Sequence, residues 1–414
     1  MEKNKKVLYI SYDGMTDPLG QSQVIPYLIG LSQKGYSFTI LSCEKKDNFL
    51  KNKVVIQNLL YANNIAWQPV FYTKKPPILS TIYDYNRLKG RAEALHIELY
   101  FDIIHCRSYI SSLIGIWMKK KYKVPFIFDM RGFWADERVD GGLWSLNNPV
   151  FKLIYQYFKK KEIKFLNQSA AIICLTNSAK NEMLTWDGLN FNEKKINVIP
   201  CCVDTELFDP HTVLTSQQEQ IKQALKISDD DFIIGYLGSI GTWYLLDEMM
   251  QFFGALKKVV KNAKFLFVTQ DSVLDITLKA QKYNIDANDV IITPADRSNV
   301  PVMISLFKYG LFFIKPSYSK MASSPTKQGE IMAMDIPVIC NFGVGDTDAI
   351  IEKYKSGLVI KNNDFTNSIQ LIAEGSGYKK NSIREGALNY FSLNSGVQKY
   401  SDVYKQICNA TINE

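Results

Sequence analysis

The richest chemistry in this 414-residue chain sits in Ser323-Ser324-Pro325-Thr326-Lys327, with Glu330 three residues further on. Ser324 suits a helix N-cap and Pro325 a first helical position, so the N–H groups near Thr326 and Lys327 would point out of the helix start. A diphosphate placed there meets the helix dipole and the Lys327 ammonium together. Glu330 shares that helix face, where a carboxylate accepts two hydrogen bonds from a ribose diol; the competing reading is an ordinary i,i+3 Lys–Glu pair. Together these residues describe a seat for a nucleoside diphosphate.

A second candidate is the loop from Asp13 to Ser22, with Gly14, Gly20 and Gln21. Its glycines would let backbone approach a ligand, and its N–H groups, leading into a helix, favour an anion. The loop lacks the close G-x-G-x-x-G spacing, which argues against a dinucleotide-dependent dehydrogenase. A third group is acidic: Asp129, Asp136, Glu137 and Asp140, interspersed with Arg131 and Arg138. These carboxylates are either candidate general bases or partners of the two arginines. His105 reads as a buried core residue, His96 and His211 fall outside every motif, and no metal-ligand spacing is present.

Elements must carry these residues to one place. Short apolar runs alternate with segments of helical period, as βαβ units require. The first half offers strands at Val7–Ser11, Phe38–Ser42, Trp67–Tyr72, Ile103–His105, Phe126–Asp129, Ala171–Leu175 and Asn197–Ile199. Between the first two, Ser22 is a candidate N-cap and Gly35 a helix stop. The pattern restarts after Pro210 with Phe232–Tyr236, Phe265–Val268, Val290–Ile292, Leu311–Ile314, Val338–Asn341 and Leu358–Ile360. The implied fold class is α/β, two doubly wound domains in tandem, whose ligands bind in the loops beyond the strands' carboxyl ends.

Composition agrees: 46% hydrophobic and 22% charged residues exclude a disordered chain. The net charge is uneven, with 28 basic and 17 acidic residues in 1–200 against 21 and 24 in 201–414. The basic clusters Lys119–Lys121 and Lys159–Lys161 lie among aromatics, as either a solvated face or a surface for anionic lipid or a phosphorylated carrier. They form no nucleic-acid reading motif. No run suits a spanning helix, and the Met1 to Lys6 start has no apolar run behind it, so a cytoplasmic protein is expected. The seven cysteines read as reduced; adjacent Cys201 and Cys202 are apolar fillers or a redox pair.

In order along nearly the whole chain, the Gly14–Gly20 loop, Asp102-Ile103-Ile104-His105, Val124–Gly132, Val198-Ile199-Pro200 through Phe208, Gly235-Tyr236-Leu237-Gly238, and Glu330 to Ile339 resemble landmarks of the family 4 glycosyltransferases. The resemblance implies a GT-B fold of two facing Rossmann-like domains: residues 1–205 for the acceptor, 206–388 for the nucleotide-sugar donor, and 389–414 as a helix crossing back to the first domain to complete a two-stranded hinge. Glu330 matches the second glutamate of the family's E-x7-E signature, which binds the nucleotide ribose. Trp243, Tyr244 and the Ile292–Ala295 loop fall where the base would lie.

The departures are specific. Ala322 stands where the first glutamate of that signature belongs, and Ser239-Ile240-Gly241-Thr242 replaces the arginine and lysine that hold the diphosphate. Arg107 and Arg131 replace two histidines, and neither arginine serves as a base because its pKa stays above about 12. The resemblance implies a hexosyltransferase-type enzyme without metal or resident cofactor. It would take a UDP- or GDP-sugar and act, with retention, on a glycan or polyprenyl-linked acceptor in surface polysaccharide synthesis such as capsule or lipopolysaccharide, peripheral to the inner membrane face. Expected donor contacts are Gly20, Gly238, Ser239, Thr242, Pro294, Ser323, Ser324, Lys327 and Glu330. Expected acceptor contacts are Gly14, Gln21, Arg107, Tyr109, Asp136 and Glu137, and the expected catalytic groups are Lys327, Asp129 and Arg131. A GT-B sugar-nucleotide epimerase, or an inactive glycan-binding or scaffold protein, are the alternatives.

Overall fold

The computed structural model describes residues 4–375, 377–379 and 381–412. The beginning of the Met1 to Lys6 start and the end of the expected 389–414 helix lie outside these residues. The chain divides into two compact units, Met1–Pro200 with Leu393–Glu414 and Cys201–Ser392.

The first unit is a seven-stranded sheet in the order β3-β2-β1-β4-β5-β6-β7: β1 (Lys5–Ser11), β2 (Tyr36–Glu44), β3 (Ala66–Phe71), β4 (Ile103–Arg107), β5 (Phe126–Asp129), β6 (Ala171–Cys174) and β7 (Ile196–Val198). Its pairings are parallel throughout. Strands covered on both faces read as continuous apolar runs, and Val7, Leu8 and Ile10 of β1 are fully buried. The order reverses between β1 and β4, the switch point at which open α/β sheets bind ligands.

The second unit is a six-stranded parallel sheet in the order β10-β9-β8-β11-β12-β13: β8 (Phe232–Leu237), β9 (Ala263–Val268), β10 (Val290–Thr293), β11 (Tyr309–Phe312), β12 (Val338–Asn341) and β13 (Gly357–Ile360). Phe265 and Phe267 lie in its core with ring centroids 4.1 Å apart. Every expected strand is present, with ends shifted by a few residues.

Helix starts differ more. The segment after β1 is two helices, Pro18–Gln23 and Ile25–Ser32, broken at Val24. Pro26 has no N–H to continue the ladder, and Ser22, instead of capping, bonds back to the Pro18 carbonyl at 2.9 Å. The helix Thr326–Ala333 begins one residue later than expected, with Pro325 at the cap and no side-chain cap bond. Ser324 is diverted: its hydroxyl accepts from the Cys201 N–H at 3.2 Å. The last helix, Leu393–Ile412, belongs to the first unit. There Val397 fills the space a side chain at Gly30 would need, and Ser401 accepts from the Tyr36 hydroxyl at 3.3 Å.

Candidate functional site

In the second unit the loops beyond β8, β9, β10 and β11 converge. Gly238, just past β8, has φ +96°, a conformation that favours glycine, and a Cβ there would lie 3.6 Å from Lys327 Nζ. Lys327 is buried, its ammonium 4.1 Å from the Tyr236 ring centroid and 3.7 Å from that of Tyr244. Nζ has no hydrogen-bond partner among the described residues. A lysine is rarely buried unless paired, and here only ring faces and distant carboxylates oppose the lost hydration. Burial pulls its pKa well below the usual lysine value against the pull of Glu330 and Asp271.

Glu330 is buried one turn further along the helix, and its Oε1 accepts from Arg297 Nη1. The Lys327–Glu330 ion pair is thus replaced by Arg297–Glu330. Arg297, in the loop after β10, also lies 4.9 Å over the Phe208 ring. The tyrosine and tryptophan expected near the base both face cations: Tyr244 seats Lys327, and the Trp243 ring lies 3.7 Å from Lys320 Nζ.

The β8 loop is closed from within. The Ile240 N–H is taken by Asp271 from the loop after β9, whose carboxylate also accepts from Ser239 Oγ at 3.0 Å. Thr242 and Pro294 are exposed. Ser323 donates its N–H to the Lys320 carbonyl at 3.1 Å.

The first unit has a parallel device. Glu44, the last residue of β2, is fully buried and accepts from the N–H of Met15 at 2.7 Å and of Thr16 at 3.1 Å. The N–H groups expected to meet a ligand anion are therefore satisfied by an internal carboxylate. Gly14 and Gly20 are needed for the loop's own packing, since a Cβ would come 2.7 Å from Glu44 Oε2 or 2.2 Å from the Gly14 carbonyl oxygen. Gln21 closes the loop by donating to the Thr16 carbonyl at 3.0 Å.

At the switch point, Asp129 ends β5 fully buried. Its Oδ2 accepts from Tyr400 at 3.1 Å and lies 3.3 Å from His105 Nε2, while Oδ1 is 3.8 Å from Arg131 Nη1. His105 Nδ1 meets the Tyr404 hydroxyl at 2.6 Å, so both ring nitrogens are engaged. Burial raises the Asp129 pKa, but Arg131, His105 and Arg107 outweigh it and hold the carboxyl below its usual value. Asp129 is corrected from candidate base to buried counter-ion of Arg131. Arg131 is held with φ +60°, the left-handed region, followed by Gly132 at φ +141°. Arg107, also buried, is 3.4 Å from Asp13 through Nε and leaves Nη1 without a hydrogen-bond partner among the described residues.

Two acceptor expectations are overturned by burial. Tyr109 is fully enclosed and donates to buried Glu162; Asp136 accepts from Tyr155 at 2.8 Å and Lys159 at 2.9 Å. Glu137 is half-buried. Arg297, Asp271 and Glu44 escaped the sequence reading, although each sits where a strand of a parallel sheet ends, the position that should be searched first.

Two parallel, doubly wound units, one with a buried cation beside a carboxylate at its strand ends, define a GT-B architecture. The Glycosyltransferase Family 4 model matches residues 24–207 and the Glycosyl transferases group 1 model residues 217–387. The chain belongs to the family 4-type glycosyltransferases of GT-B fold. D-inositol 3-phosphate glycosyltransferase of Kribbella flavida is 21% identical over 191 residues, which is 46% of this chain and 42% of that enzyme. Sucrose-phosphate synthase from Thermosynechococcus elongatus shares the fold with TM-score 0.74 at 14% identity, over 98% of this chain and 100% of that one. Anabaena HepE, solved with UDP and glucose, shares it with TM-score 0.70 at 12% identity, over 97% and 99%.

Proposed function

We propose that the protein transfers a sugar from a nucleotide donor, a UDP- or GDP-sugar held by the second unit, to a lipid-linked glycan acceptor held by the first, in bacterial surface polysaccharide synthesis. The observation that carries this reading is the buried Lys327 ammonium, without a hydrogen-bond partner among the described residues, one turn from Glu330. Diphosphate oxygens supply the acceptors that Nζ lacks, and Glu330 Oε2 accepts from the ribose while Oε1 stays with Arg297. HepE, solved with UDP, supports a uridine donor by analogy of fold.

Retention is the stereochemical course that suits these residues. Asp129 is committed to Arg131, His105 and Tyr400, and Asp136 to Tyr155 and Lys159, while Asp13, in the loop after β1, faces Arg107 Nε at 3.4 Å. In a front-face transfer no protein base is required. The acceptor oxygen bonds to the anomeric carbon as the bond to phosphate breaks, and the acceptor proton passes to the departing diphosphate. Lys327 stabilises the charge that builds there.

A calorimetric panel of UDP-, GDP-, ADP- and CMP-sugars tests the reading. One donor should bind, and Lys327→Ala or Glu330→Ala should weaken it by roughly tenfold to a hundredfold, as expected for hydrogen bonds to charged groups. Binding of none of them, or binding untouched by both substitutions, would sink the proposal.

A further inference from the structure

A cavity of about 670 Å³ lies wholly within the first unit, with Tyr12, just past the end of β1, in its wall. Its walls come from the helix Leu79–Leu99, the helix Ser108–Tyr122, which contributes Ile110 and Leu113, the helix Trp134–Asp140 and the helix Pro149–Gln168. The volume falls in the range of small-molecule sites. Its lining is mostly apolar and aromatic, including Tyr85, Trp134, Trp144, Phe151 and Phe158. The aromatic wall is already packed: Trp134 meets Phe158 at 4.9 Å and Trp144 at 5.3 Å, both edge to face. A pocket so built needs no rearrangement to accept an apolar guest.

Charge narrows the guest. Lys74 and Arg138 line the cavity, and no carboxylate does among the described residues. Arg138 is held 5.1 Å over the Trp134 ring. Ile82, Leu153 and Tyr157 both line the cavity and remain largely exposed, at 51%, 67% and 46%, so apolar surface continues from the interior to the outside. Ile78, at the start of the Leu79–Leu99 helix, also lines it with φ +69°, an outlying conformation for a β-branched residue.

We propose that this cavity holds the apolar chain of a phosphate-headed lipid, the acceptor's carrier, with Lys74 and Arg138 holding the phosphate. The inference rests on the acceptor reading above and deepens it. The aromatic walls grip the chain, the two cations fix its depth, and the exposed apolar lip lets the chain enter from a lipid surface without crossing water.

Full-length protein is titrated with n-hexyl, n-octyl and n-decyl phosphate below their micelle concentrations, and with geranyl phosphate to separate linear from isoprenoid chains. Affinity should rise by up to about fourfold per methylene until the cavity fills. Leu113→Trp, which puts an indole into the cavity, should flatten the series, and Arg138→Gln should weaken the phosphates while leaving n-decanol unchanged. Affinity independent of chain length in the unaltered protein overturns the inference, as does an unchanged series in a folded Leu113→Trp. UDP titrated into the same samples separates the two readings: UDP binding with a flat lipid series overturns only the cavity's role. A rising lipid series with no binding in the nucleotide-sugar panel overturns the transferase reading, and with it the guest's identity as acceptor, but leaves the cavity as a site for a phosphate-headed lipid.

Discussion

Lys327 has given up hydration for ring faces, and its lowered pKa records the cost. A diphosphate beside it restores strong acceptors and a negative field, which moves the pKa upward again. Because the free site holds its proton weakly and the loaded site strongly, donor binding should take up protons at a pH between the lowered value of the free site and the restored value of the loaded one. Calorimetry of UDP binding in phosphate and in Tris, buffers with different ionisation heats, reads that uptake directly. The apparent heats should differ for the unaltered protein and converge for Lys327→Ala; equal heats in both buffers for the unaltered protein would remove Lys327 from the diphosphate. The helix start that carries Lys327 and Glu330 was legible in the sequence to within one residue, because Pro325 marks it. Their partners were not. Arg297 reaches Glu330 across 33 residues, and nothing local ties an arginine in one loop to a glutamate in a later helix.

At the scale of elements, the strands were legible because a parallel sheet buried on both faces writes itself as apolar runs. The loop closures were hidden by distance, yet they follow a rule. Glu44 reaches Met15 across 29 residues and Asp271 reaches Ile240 across 31, each about one βαβ unit. In both units a carboxylate at or just past the end of the second strand accepts from the backbone of the loop after the first, two N–H groups for Glu44 and one for Asp271. The helix Pro149–Gln168 shows a different bond between elements. Its Glu162 is fully buried against Tyr109 and Lys159, and burial pushes its pKa from 4.5 up to about 7 against the pull of Lys159. A raised carboxyl pKa means that the folded chain binds the extra proton. Its contribution is complete below about pH 4.5 and is lost as pH rises through about 7. At about 1.36 kcal/mol per pH unit, the loss is bounded at about 3 kcal/mol. Glu162→Gln should therefore flatten the fall in stability between about pH 5 and about pH 8. Denaturation followed by tryptophan fluorescence measures it chiefly in the first unit, since only Trp243 lies outside that unit; an equal pH slope in the variant would show that Glu162 is ionised throughout.

For the whole molecule, the charge asymmetry takes a more definite form once the lysines are sorted by what they touch. Lys119 donates to the Gln168 carbonyl, Lys121 to Glu93, and Lys159 to Asp136, so half of the two basic triplets is bound into the fold. Lys152, Lys160 and Lys164 of the Pro149–Gln168 helix are exposed, beside exposed Val150, Leu153 and Tyr157. That mixture of ammonium groups and apolar side chains suits the interface of an anionic bilayer, where each lysine contributes about 1 kcal/mol and salt screens the attraction. The same helix walls the apolar cavity, so a surface that seated this helix on lipid would also present the cavity to the proposed lipid chain. No helix among the described residues is long and apolar enough to cross a membrane. Changing Lys152, Lys160 and Lys164 together to glutamine should lower affinity for phosphatidylglycerol vesicles by about a hundredfold at low salt, the sum of three such contributions. UDP binding should stay as it was, because these lysines and the donor residues belong to different units. Neutralising Lys119, Lys121 and Lys159 instead should chiefly reduce stability, through the contacts those side chains make. Vesicle affinity that survives the first triple change would mean that the exposed lysines are only a solvated face and that the acceptor reaches the first unit by another route.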